Sequence, residues 1–450
     1  MRGTARMKGV VALQRLAFPL VFAQIAATAN GSVTGWFLAQ NSSSALQASL
    51  PGSMLAAAVS MFAVSTLGYA GTIFARRHAA DDAAGAVATF RAARTLAVAA
   101  IPLFAAAWPA GRFVLSLFSL SGDVFSDACA YYAILLANGY FATLAAILGG
   151  YFTGQGRTAF VGTVSAAGCI VNAALAPLFI SGTLPAPFRG ITGAGLAAVA
   201  AGLLTCGVLA AGICLRPVAA RPQAPTRRDC MEILRLGLPA GVRSLVDTGG
   251  FFLFTALIAE CPAAPAVAST AAFTVNGIFQ IMPWSLSRAT EIAAARAPEP
   301  GLNALLRDLL VLCGIYSALF AAVLALFWKR IMCGFIAADA TYSVGEFLPA
   351  AGALAALLAA KAFFESATSN LQAFLRGRGE TAAVMRIQLA TSLLFWIPLF
   401  LAVKAFAPGV VAYWLTMLAC AALSAALLAR RARACASAPS LLSPVTYCNM

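Results

Sequence analysis

The sequence predicts an all-α integral membrane protein with twelve transmembrane helices in two pseudo-symmetric six-helix bundles. Three observations support this prediction. The 450 residues are 61% hydrophobic and 10% charged, whereas soluble domains are about 45–50% apolar and about 25% charged. Long apolar runs recur along the chain, and two short motifs recur about halfway along it. This composition excludes a soluble multidomain enzyme.

The apolar runs give the number of spans. A spanning helix needs about 20 apolar residues, because the hydrocarbon core is about 30 Å thick and a helix rises about 1.5 Å per residue. Polar or Pro- and Gly-rich breaks, such as SGTLPAPFRG at 181–190, separate the runs. Twelve runs meet this length, at residues 12–38, 50–75, 93–118, 128–152, 158–182, 190–215, 232–258, 264–289, 305–331, 347–373, 382–404 and 407–429.

Basic residues predict the orientation. The formal net charge is +15, and the Lys and Arg residues concentrate in alternate loops. The positive-inside rule places such loops in the cytoplasm, so both termini of this multi-pass protein are expected on the cytoplasmic side of a plasma (inner) membrane. The positive net charge is then explained by the orientation of the helices and by contacts with anionic lipid headgroups. No nucleic-acid partner is expected, and we expect a monomer.

Two motifs recur in the same order and indicate an internal duplication. RLAFP at 15–19 recurs as RLGLP at 235–239, and FTGQGRTA at 152–159 recurs as LRGRGETA at 375–382. We therefore predict an N-terminal six-helix half, 1–220, and a C-terminal six-helix half, 221–450. Six helices per half make a parallel repeat. Such repeats are typical of alternating-access transporters, whose binding sites lie near the bilayer midplane.

Two acidic residues are predicted at membrane depth, whereas the other acids fall near the ends of the predicted spans. Asp247 follows Arg235 by twelve residues and Glu365 precedes Arg376 by eleven, which corresponds to about 16–18 Å of helix. Half of the hydrocarbon core is about 15 Å, so both carboxyl groups are expected near the midplane at similar depth. An ionised carboxylate there costs at least about 2.5–3.5 kcal/mol. Such a group tends to bind a proton or another cation, which is what ion coupling requires.

Structural charge pairing is an alternative explanation for these acids. Arg243 and Lys361 each precede one acid by four residues, so each can form an i,i+4 ion pair on its own helix. Arg243 can also extend its flexible side chain to the cytoplasmic face. Lys361 lies too deep for that and can instead act as a switching partner of Glu365.

Neutral polar side chains in the predicted spans are weaker candidates for ion or substrate contacts. Alkali cations are coordinated by oxygen atoms, but amides in membrane helices more commonly bond to neighbouring helices. If Na⁺ is the coupling ion, Asp247 and Glu365 are its predicted ligands. The neutral candidates are Asn276, Gln280 and Asn370 in the C-terminal half, and Asn30, Thr34 and Asn172 in the N-terminal half.

Several segments together resemble the multidrug and toxic compound extrusion (MATE) family. They are the RLxxP helix openings, the repeated turns, FFESATSNLQAFLRGRGET at 363–381, GYFTGQGRTAFVGTVSAAGCIVNAALAPLFI at 150–180 and GITGAGLAAVAAGLL at 190–204. The resemblance runs over essentially the whole chain. It implies a secondary antiporter in which H⁺ or Na⁺ enters while small organic, often cationic and amphipathic, compounds leave. It also implies that the acids of the seventh and tenth helices, here Asp247 and Glu365, couple ions.

The N-terminal half departs from the pattern of that family. Many members carry an aspartate in a segment that aligns with SVTGWFLA at 32–39, where this chain has Thr34. Another subset has an aspartate before a proline in the fifth helix, and the corresponding residue here is Ala176, before Pro177. We therefore expect ion coupling in the C-terminal half alone.

Other functions agree less well with these residues. A lipid-linked precursor flippase or polysaccharide exporter on the same scaffold stays open, because Arg243, Arg288 and Lys361 offer positive charge for phosphates. A membrane-embedded enzyme is not expected, since the single histidine, His78, lies in a loop, and no cofactor is expected. The sequence has no P-loop motif, so ATP is not the expected energy source. A channel is not expected either, because a channel does not require an internal duplication with membrane carboxylates in only one half.

Overall fold

A computed structural model of the protein describes residues 13–22, 24–25, 34, 37–38, 43–116, 122–181, 185, 189–215, 225–259, 261–297, 301–334, 344–406 and 409–437. These residues form helices and turns, and none of them lies in a β-strand. The helices are α1 (Leu13–Phe22), α2 (Ser43–Leu67), α3 (Ala70–Ala79), α4 (Ala83–Ala99), α5 (Ile101–Ser116), α6 (Gly122–Gly154), α7 (Thr158–Ser181), α8 (Ile191–Leu215), α9 (Arg227–Ala259), α10 (Ala263–Arg296), α11 (Leu302–Cys333), α12 (Val344–Gly377), α13 (Thr381–Leu389), a π-helical segment (Ala390–Trp396), α14 (Ile397–Phe406) and α15 (Val410–Ser437).

Nine helical stretches in the described chain are long and apolar enough to cross a membrane. They cover the second to sixth and the ninth to twelfth predicted runs. The seventh and eighth runs are α9 and α10, with 33 and 34 residues, which is longer than the about 20 residues that a span needs. Charged and polar side chains lower the mean hydropathy of both. The first run begins with α1, and much of its remainder lies outside the described residues. The prediction of an all-α membrane protein is confirmed, and nine of its twelve predicted spans are apolar helical stretches of sufficient length in the described chain.

Three predicted runs contain a local irregularity, although each irregularity lies within one candidate span. The run 50–75 contains α2 and α3, which are separated by a turn at Gly68 and Tyr69. The run 93–118 contains parts of α4 and α5, which meet at Ala100, and the run 382–404 contains the π-helical segment. The sequence did not reveal these breaks because Tyr69 and Ala100 are themselves apolar and compatible with a continuous helix.

The described residues form two compact units. One extends from Phe18 to Leu245, and the other comprises the residues from Val246 onward together with Leu13–Ala17. The division falls inside α9, the helix that carries Asp247. The predicted halves, 1–220 and 221–450, stay a prediction.

Both units have the same internal arrangement. In the unit from Phe18 to Leu245, α6 is central and packs against α2, α5 and α8; in the unit from Val246 onward, α12 is central and packs against α10, α11 and α15. Because α6 and α12 are the fourth spans of the two repeats, the same repeat position supplies both central helices. The partners of each central helix are the second, third and sixth spans of its own repeat.

The repeated turn has one geometry in both repeats. Gly156 and Gly379 have φ values of 84° and 83°, in the left-handed region that favours glycine. In each turn the residue after the glycine donates its backbone N–H to the carbonyl oxygen five residues earlier, over 2.9 Å. This is the Schellman motif, which ends a helix with a left-handed residue. The backbone therefore supports the duplication inferred from these two segments.

The packing of α10 against α12 positions much of the candidate site. Gly377 permits a close approach, because a Cβ atom there would lie 2.5 Å from the carbonyl oxygen of Glu291. Oγ of Ser287 donates to the carbonyl oxygen of Ser369 at 2.9 Å, and Nε of Arg376 donates to Oε2 of Glu291 at 3.2 Å. Residues bonded across this interface differ in number by 82 to 87. This nearly constant offset shows that the two helices run parallel.

Candidate functional site

Asp247 takes part in a chain of side-chain hydrogen bonds that joins α9, α13 and α12. Nε2 of Gln388 donates to Oδ1 of Asp247 at 3.2 Å, and Nε2 of Gln372 donates to Oε1 of Gln388 at 3.0 Å. An ionised carboxylate only accepts hydrogen bonds, so Gln388 turns its NH₂ group to Asp247 and its oxygen to Gln372. Asp247 is half-buried.

Gln372 and Gln388 were not predicted as site residues. They lie on either side of the repeated turn that contains Gly379, near the ends of the tenth and eleventh spans. A glutamine near a span end can face water, so its position alone gave no reason to place it beside Asp247. The signal that does exist is their similar distance from one turn, since Gln372 precedes Gly379 by seven residues and Gln388 follows it by nine.

The π-helical segment after α13 holds the backbone around Gln388. Oγ1 of Thr391 donates to the carbonyl oxygens of Ile387 and Gln388, at 3.0 Å and 3.1 Å. Oγ of Ser424, on α15, donates to Oγ1 of Thr391 at 3.2 Å. π-Helical turns are rare and frequently mark functional sites. Here the wider turn places a polar contact with α15 next to the amide that holds Asp247.

Glu365 forms an ion pair with Lys361, one turn earlier on α12. The distance from Nζ of Lys361 to Oε1 of Glu365 is 2.9 Å, and the side chains are 2% and 21% exposed. The angles at the ammonium group depart from those of a hydrogen bond, so the contact is Coulombic. The charge pairing that the sequence allowed for Glu365 is therefore present.

Lys361 also lies against an aromatic ring. Its Nζ is 4.9 Å from the ring centroid of Trp414, a cation–π geometry. Trp414 is fully buried, and its Nε1 donates to Oγ of Ser269 at 2.8 Å, which fixes the indole. The ammonium group thus has a carboxylate and an aromatic face as neighbours.

Two amide side chains lie on α10 at the level of this ion pair. Asn276 and Gln280 are one turn apart and buried, and the α10–α12 register places them opposite Lys361 and Glu365. In the described part of the chain, Oδ1 of Asn276 and Oε1 of Gln280 accept no hydrogen bond. A buried polar atom without a partner costs about 1–3 kcal/mol. These oxygens are therefore able to take a cation or a donor group as a ligand.

Asn370 connects α12 to α10. Its Nδ2 donates to the carbonyl oxygen of Ser366 at 2.8 Å and to that of Pro283 at 3.4 Å. The side chain is fully buried. Its Oδ1 has no donor among the described residues. The amide group thus supports helix packing and leaves one neutral oxygen for a ligand.

The other predicted residues lie elsewhere. Asn172 is buried on α7, Thr34 is half-buried, and Asn30 lies outside the described residues. Arg243 is half-buried on α9, and its pairing with Asp247 stays a prediction. The described residues contain no group of three His, Cys, Asp or Glu side chains that would hold a metal ion.

Asp247 and Glu365 belong to two contact groups along α12. Gln372, the last member of the chain that begins at Asp247, follows Glu365 by seven residues, or about 10 Å of helix. The similar depth expected for the two carboxylates stays a prediction. Their contacts reach α12 at levels two turns apart.

A second charged cluster lies at the start of α9. Nη1 of Arg77 is 2.8 Å from Oδ1 of Asp229, and Nη2 of Arg77 is 2.6 Å from Oε2 of Glu232. Arg76 also pairs with Glu232, at 2.8 Å. Burial alone would raise the pKa of Asp229, but hydrogen bonds from Thr226 and Arg77 outweigh burial and hold this pKa below its usual value. The cluster joins the end of α3 to the start of α9.

The chain is similar to known transporters in sequence and in fold. The MatE family model matches residues 19–178. The probable multidrug resistance protein NorM of Pseudomonas aeruginosa is 29% identical over 427 residues, which cover 88% of this chain and 83% of that protein. A MATE family transporter of the MOP superfamily, solved in an outward-facing conformation, has a TM-score of 0.83 at 18% identity, over 95% of this chain and 96% of that one. A MATE structure in complex with MaL6 has a TM-score of 0.81 at 18% identity, with the same coverage.

These similarities agree with the motifs and the duplicated architecture. The relative in Pseudomonas aeruginosa extends the sequence similarity over both halves, and the solved structures share the fold over nearly the whole chain. MATE transporters are not enzymes and use no cofactor. The chain is a multi-pass membrane protein that is similar in sequence to the MatE family and to probable multidrug resistance proteins, and it shares the fold of solved MATE transporters.

Proposed function

We propose that this protein is a MATE transporter, an antiporter that couples the entry of H⁺ or Na⁺ to the export of organic, cationic and amphipathic compounds. The observation that carries the proposal is the half-buried carboxylate of Asp247, which a neutral amide holds at 3.2 Å within a membrane helix. An ionised carboxylate at such a place costs at least about 2.5–3.5 kcal/mol. Binding of a cation offsets this cost.

Neutralisation of Asp247 supplies the coupling step. When the site is open to the outside, a cation binds and removes the net charge of the carboxylate. The neutral site can then close away from water, whereas a charged one resists closure because its desolvation is costly. Release of the cation to the inside restores the charge. A ligand shifts such an equilibrium only by its different affinity for the two conformations, and the charge of Asp247 provides that difference.

The oxygens near Glu365 support a second part of the proposal. If Na⁺ is the coupling ion, carboxylate oxygens of Asp247 are its proposed ligands, whereas Glu365, the other ligand expected from the sequence, is paired with Lys361. The amide oxygens of Asn276, Gln280 and Asn370 are buried and accept no hydrogen bond among the described residues, so they are proposed as neutral contacts for an ion or a substrate.

Two acids in an apolar helical unit favour a cationic, amphipathic substrate. The name of the relative in Pseudomonas aeruginosa, a probable multidrug resistance protein, supports small organic compounds as the class. We further propose a plasma (inner) membrane location, two cytoplasmic termini and a monomeric transporter. The concentration of arginines in alternate loops supports the orientation.

The structure favours this function over the flippase or polysaccharide exporter. That alternative needs cationic groups that can bind phosphate. Lys361 is ion-paired with Glu365, and Arg288 is exposed on α10. The charge of Lys361 is therefore neutralised by Glu365, which leaves one basic residue fewer for a phosphate site.

Transport by purified protein in liposomes tests the proposal. Ethidium export is measured under an imposed pH gradient and, separately, an imposed Na⁺ gradient. We expect one gradient to drive export by the parent protein. D247N should abolish that acceleration, and E365Q should slow export by leaving Lys361 without its anion. D81N makes the Asp-to-Asn change in an exposed turn and should leave export unchanged.

Two results would contradict the proposal. One is gradient-driven export that proceeds at the same rate in D247N, E365Q, D81N and the parent protein. The other is translocation of a fluorescent lipid headgroup, without any gradient-driven movement of ethidium, by the parent protein. The latter result would favour the flippase.

A further inference from the structure

The neighbours of the Lys361 ammonium group are the kinds of group that surround a bound cation in a protein. A monovalent cation in an apolar interior is held by an anion, by neutral oxygens and, where present, by an aromatic face. The ammonium group of Lys361 has Glu365 at 2.9 Å and the ring of Trp414 at 4.9 Å. Its side chain is 2% exposed. The lysine nitrogen thus stands where a cation from solution would bind to Glu365.

The surroundings hold this ammonium group in place. Trp414 is fully buried and fixed by its bond to Ser269. Lys361 and Glu365 are on the same helix and one turn apart, so no movement between helices is needed to keep them together. Separation would leave a buried charge without its counter-ion, which typically costs about 3–5 kcal/mol.

We infer that Lys361 is a tethered cation that occupies the ion position of Glu365 throughout the transport cycle, so that only Asp247 exchanges a cation with solution. The inference rests on the proposed cation coupling. It predicts a single exchangeable cation per protein, although two acids lie in the membrane. Lys361 acts here as a positioning residue that sets the number of coupling ions.

Few other groups near the pair can change their charge. The helices packed against this part of α12 carry four further titratable side chains, each neutral at ordinary pH, namely Cys313 and Tyr316 on α11 and Tyr413 and Cys420 on α15. Towards the cytoplasmic end of the interface, Glu291 pairs with Arg376 at 3.1 Å. A change in cation binding at Glu365 would therefore follow from Lys361 itself.

Cation binding by the purified protein tests the inference without knowledge of the substrate. Infrared difference spectra count carboxyl groups that gain a proton, and calorimetry counts bound Na⁺. The parent should bind one cation, and D247N should bind none. K361M should bind two, because Glu365 then takes a cation from solution. K361M/E365Q should return to one.

Two further variants keep the result decisive. K329M removes a lysine that also faces an indole, 5.7 Å from Trp328, and should leave one bound cation. E365Q retains Lys361 and should also bind one cation, so it tests without K361M whether Glu365 binds an exchangeable cation of its own. A purely structural ion pair would lower the stability of K361M and E365Q and leave one bound cation, not two, in folded K361M.

The inference would be overturned by two bound cations in the parent, by a loss of one cation in E365Q, or by a single bound cation in folded K361M. A parent protein that binds no cation would refute the proposed coupling and this inference together. If D247N keeps its cation while K361M gains one, the role of Asp247 is wrong but the tethered cation stands. The two failures are thus distinguishable.

Discussion

Gln388 donates a hydrogen bond of 3.2 Å to Asp247 and accepts one of 3.0 Å from Gln372. The acidic group is thereby connected through two neutral amides to α12, the central helix of its unit. Gln388 has only one amide orientation that satisfies both of its bonds. Any change in the position or protonation of Asp247 is therefore felt at Gln388 first and at Gln372 second.

Replacement of Gln388 by leucine should impair coupling more than replacement of Gln372. Q388L removes the bond to the carboxylate, and a hydrogen bond to a charged group contributes about 1.5–3 kcal/mol. We expect gradient-driven export of ethidium to fall by roughly 10-fold or more, since about 1.4 kcal/mol corresponds to a factor of ten. Q372L should lower it by less, because Gln388 remains in contact with Asp247.

The double variant distinguishes a chain from two independent effects. If Gln372 acts only through Gln388, export by Q372L/Q388L should equal that by Q388L. Effects that multiply in the double variant would show that Gln372 acts by another route. Thr163→Val, on the exposed side of α7, is a polar-to-apolar control that should leave export unchanged.

The two repeated turns should respond alike to alanine. Gly156 and Gly379 have φ values of 84° and 83°, and a side chain in this left-handed conformation costs about 1–2 kcal/mol. G156A and G379A should each lower thermal stability in detergent by that amount. G156N and G379N should lose less, because asparagine tolerates this region.

Gly314 provides the control for these turn variants. It lies within α11, and a Cβ atom there would meet no atom within 4 Å. G314A should be neutral or stabilise by up to about 1 kcal/mol, since alanine favours the helix. Equal losses in G314A and the turn variants would contradict the role of the left-handed glycines.

The sequence predicted much of the fold because membrane spans are a matter of length and hydropathy. The repeated turn could also be predicted, since glycine is the residue that its geometry requires. The breaks at Tyr69 and Ala100 could not, because apolar residues there fit a continuous helix equally well. The π-helical segment likewise leaves no signature in an apolar run.

The sequence indicated candidate site residues only where a charged side chain falls at membrane depth, because such residues are rare. Asp247 and Glu365 stood out because charged side chains are rare at membrane depth. Gln388 lies near a span end, where a polar residue is ordinary, so its bond to Asp247 follows only from the three-dimensional packing. The pairing of Lys361 with Glu365 was one of two alternatives, and sequence spacing alone could not choose between them.

Substitution of Asp229 should destabilise the protein in a pH-dependent manner. Its pKa is lowered in the folded protein, where hydrogen bonds from Thr226 and Arg77 outweigh the opposing effect of burial. The ionised form therefore stabilises the fold above the unfolded pKa, near about 4. This stabilisation is lost as the pH falls through the lower pKa of the folded state.

Thermal unfolding in detergent from pH 7 to pH 3 measures this effect. D229N should cost about 1–3 kcal/mol at pH 7, because it leaves Arg77 with one carboxylate fewer. The difference from the parent should shrink below about pH 4, where the parent begins to lose the same interaction. D82N retains an N-cap residue at the start of α4 and serves as the control. A constant difference at all pH values would contradict the ionic explanation.

The aromatic face of Trp414 should matter beyond its volume. W414F keeps a ring beside Lys361 and loses the donor to Ser269, a bond whose loss at a buried hydroxyl costs about 1–3 kcal/mol. W414L loses the ring as well, so we expect a larger total cost of about 3–5 kcal/mol. Unfolding in detergent compares the two variants, and W108L, at an exposed tryptophan near Arg112, is the control.

A double-mutant cycle then isolates the cation–π contribution. The difference between W414L and W414F contains the lost cavity contacts and the lost attraction for the ammonium group. In a K361M/E365Q background the ammonium group is absent, so only the cavity contacts remain and the difference should fall by about 0.5–2 kcal/mol. An unchanged difference would mean that Trp414 contributes by packing alone. In that case Glu365 would be the only group that neutralises Lys361, and the ion pair would have to stay closed without help from the ring.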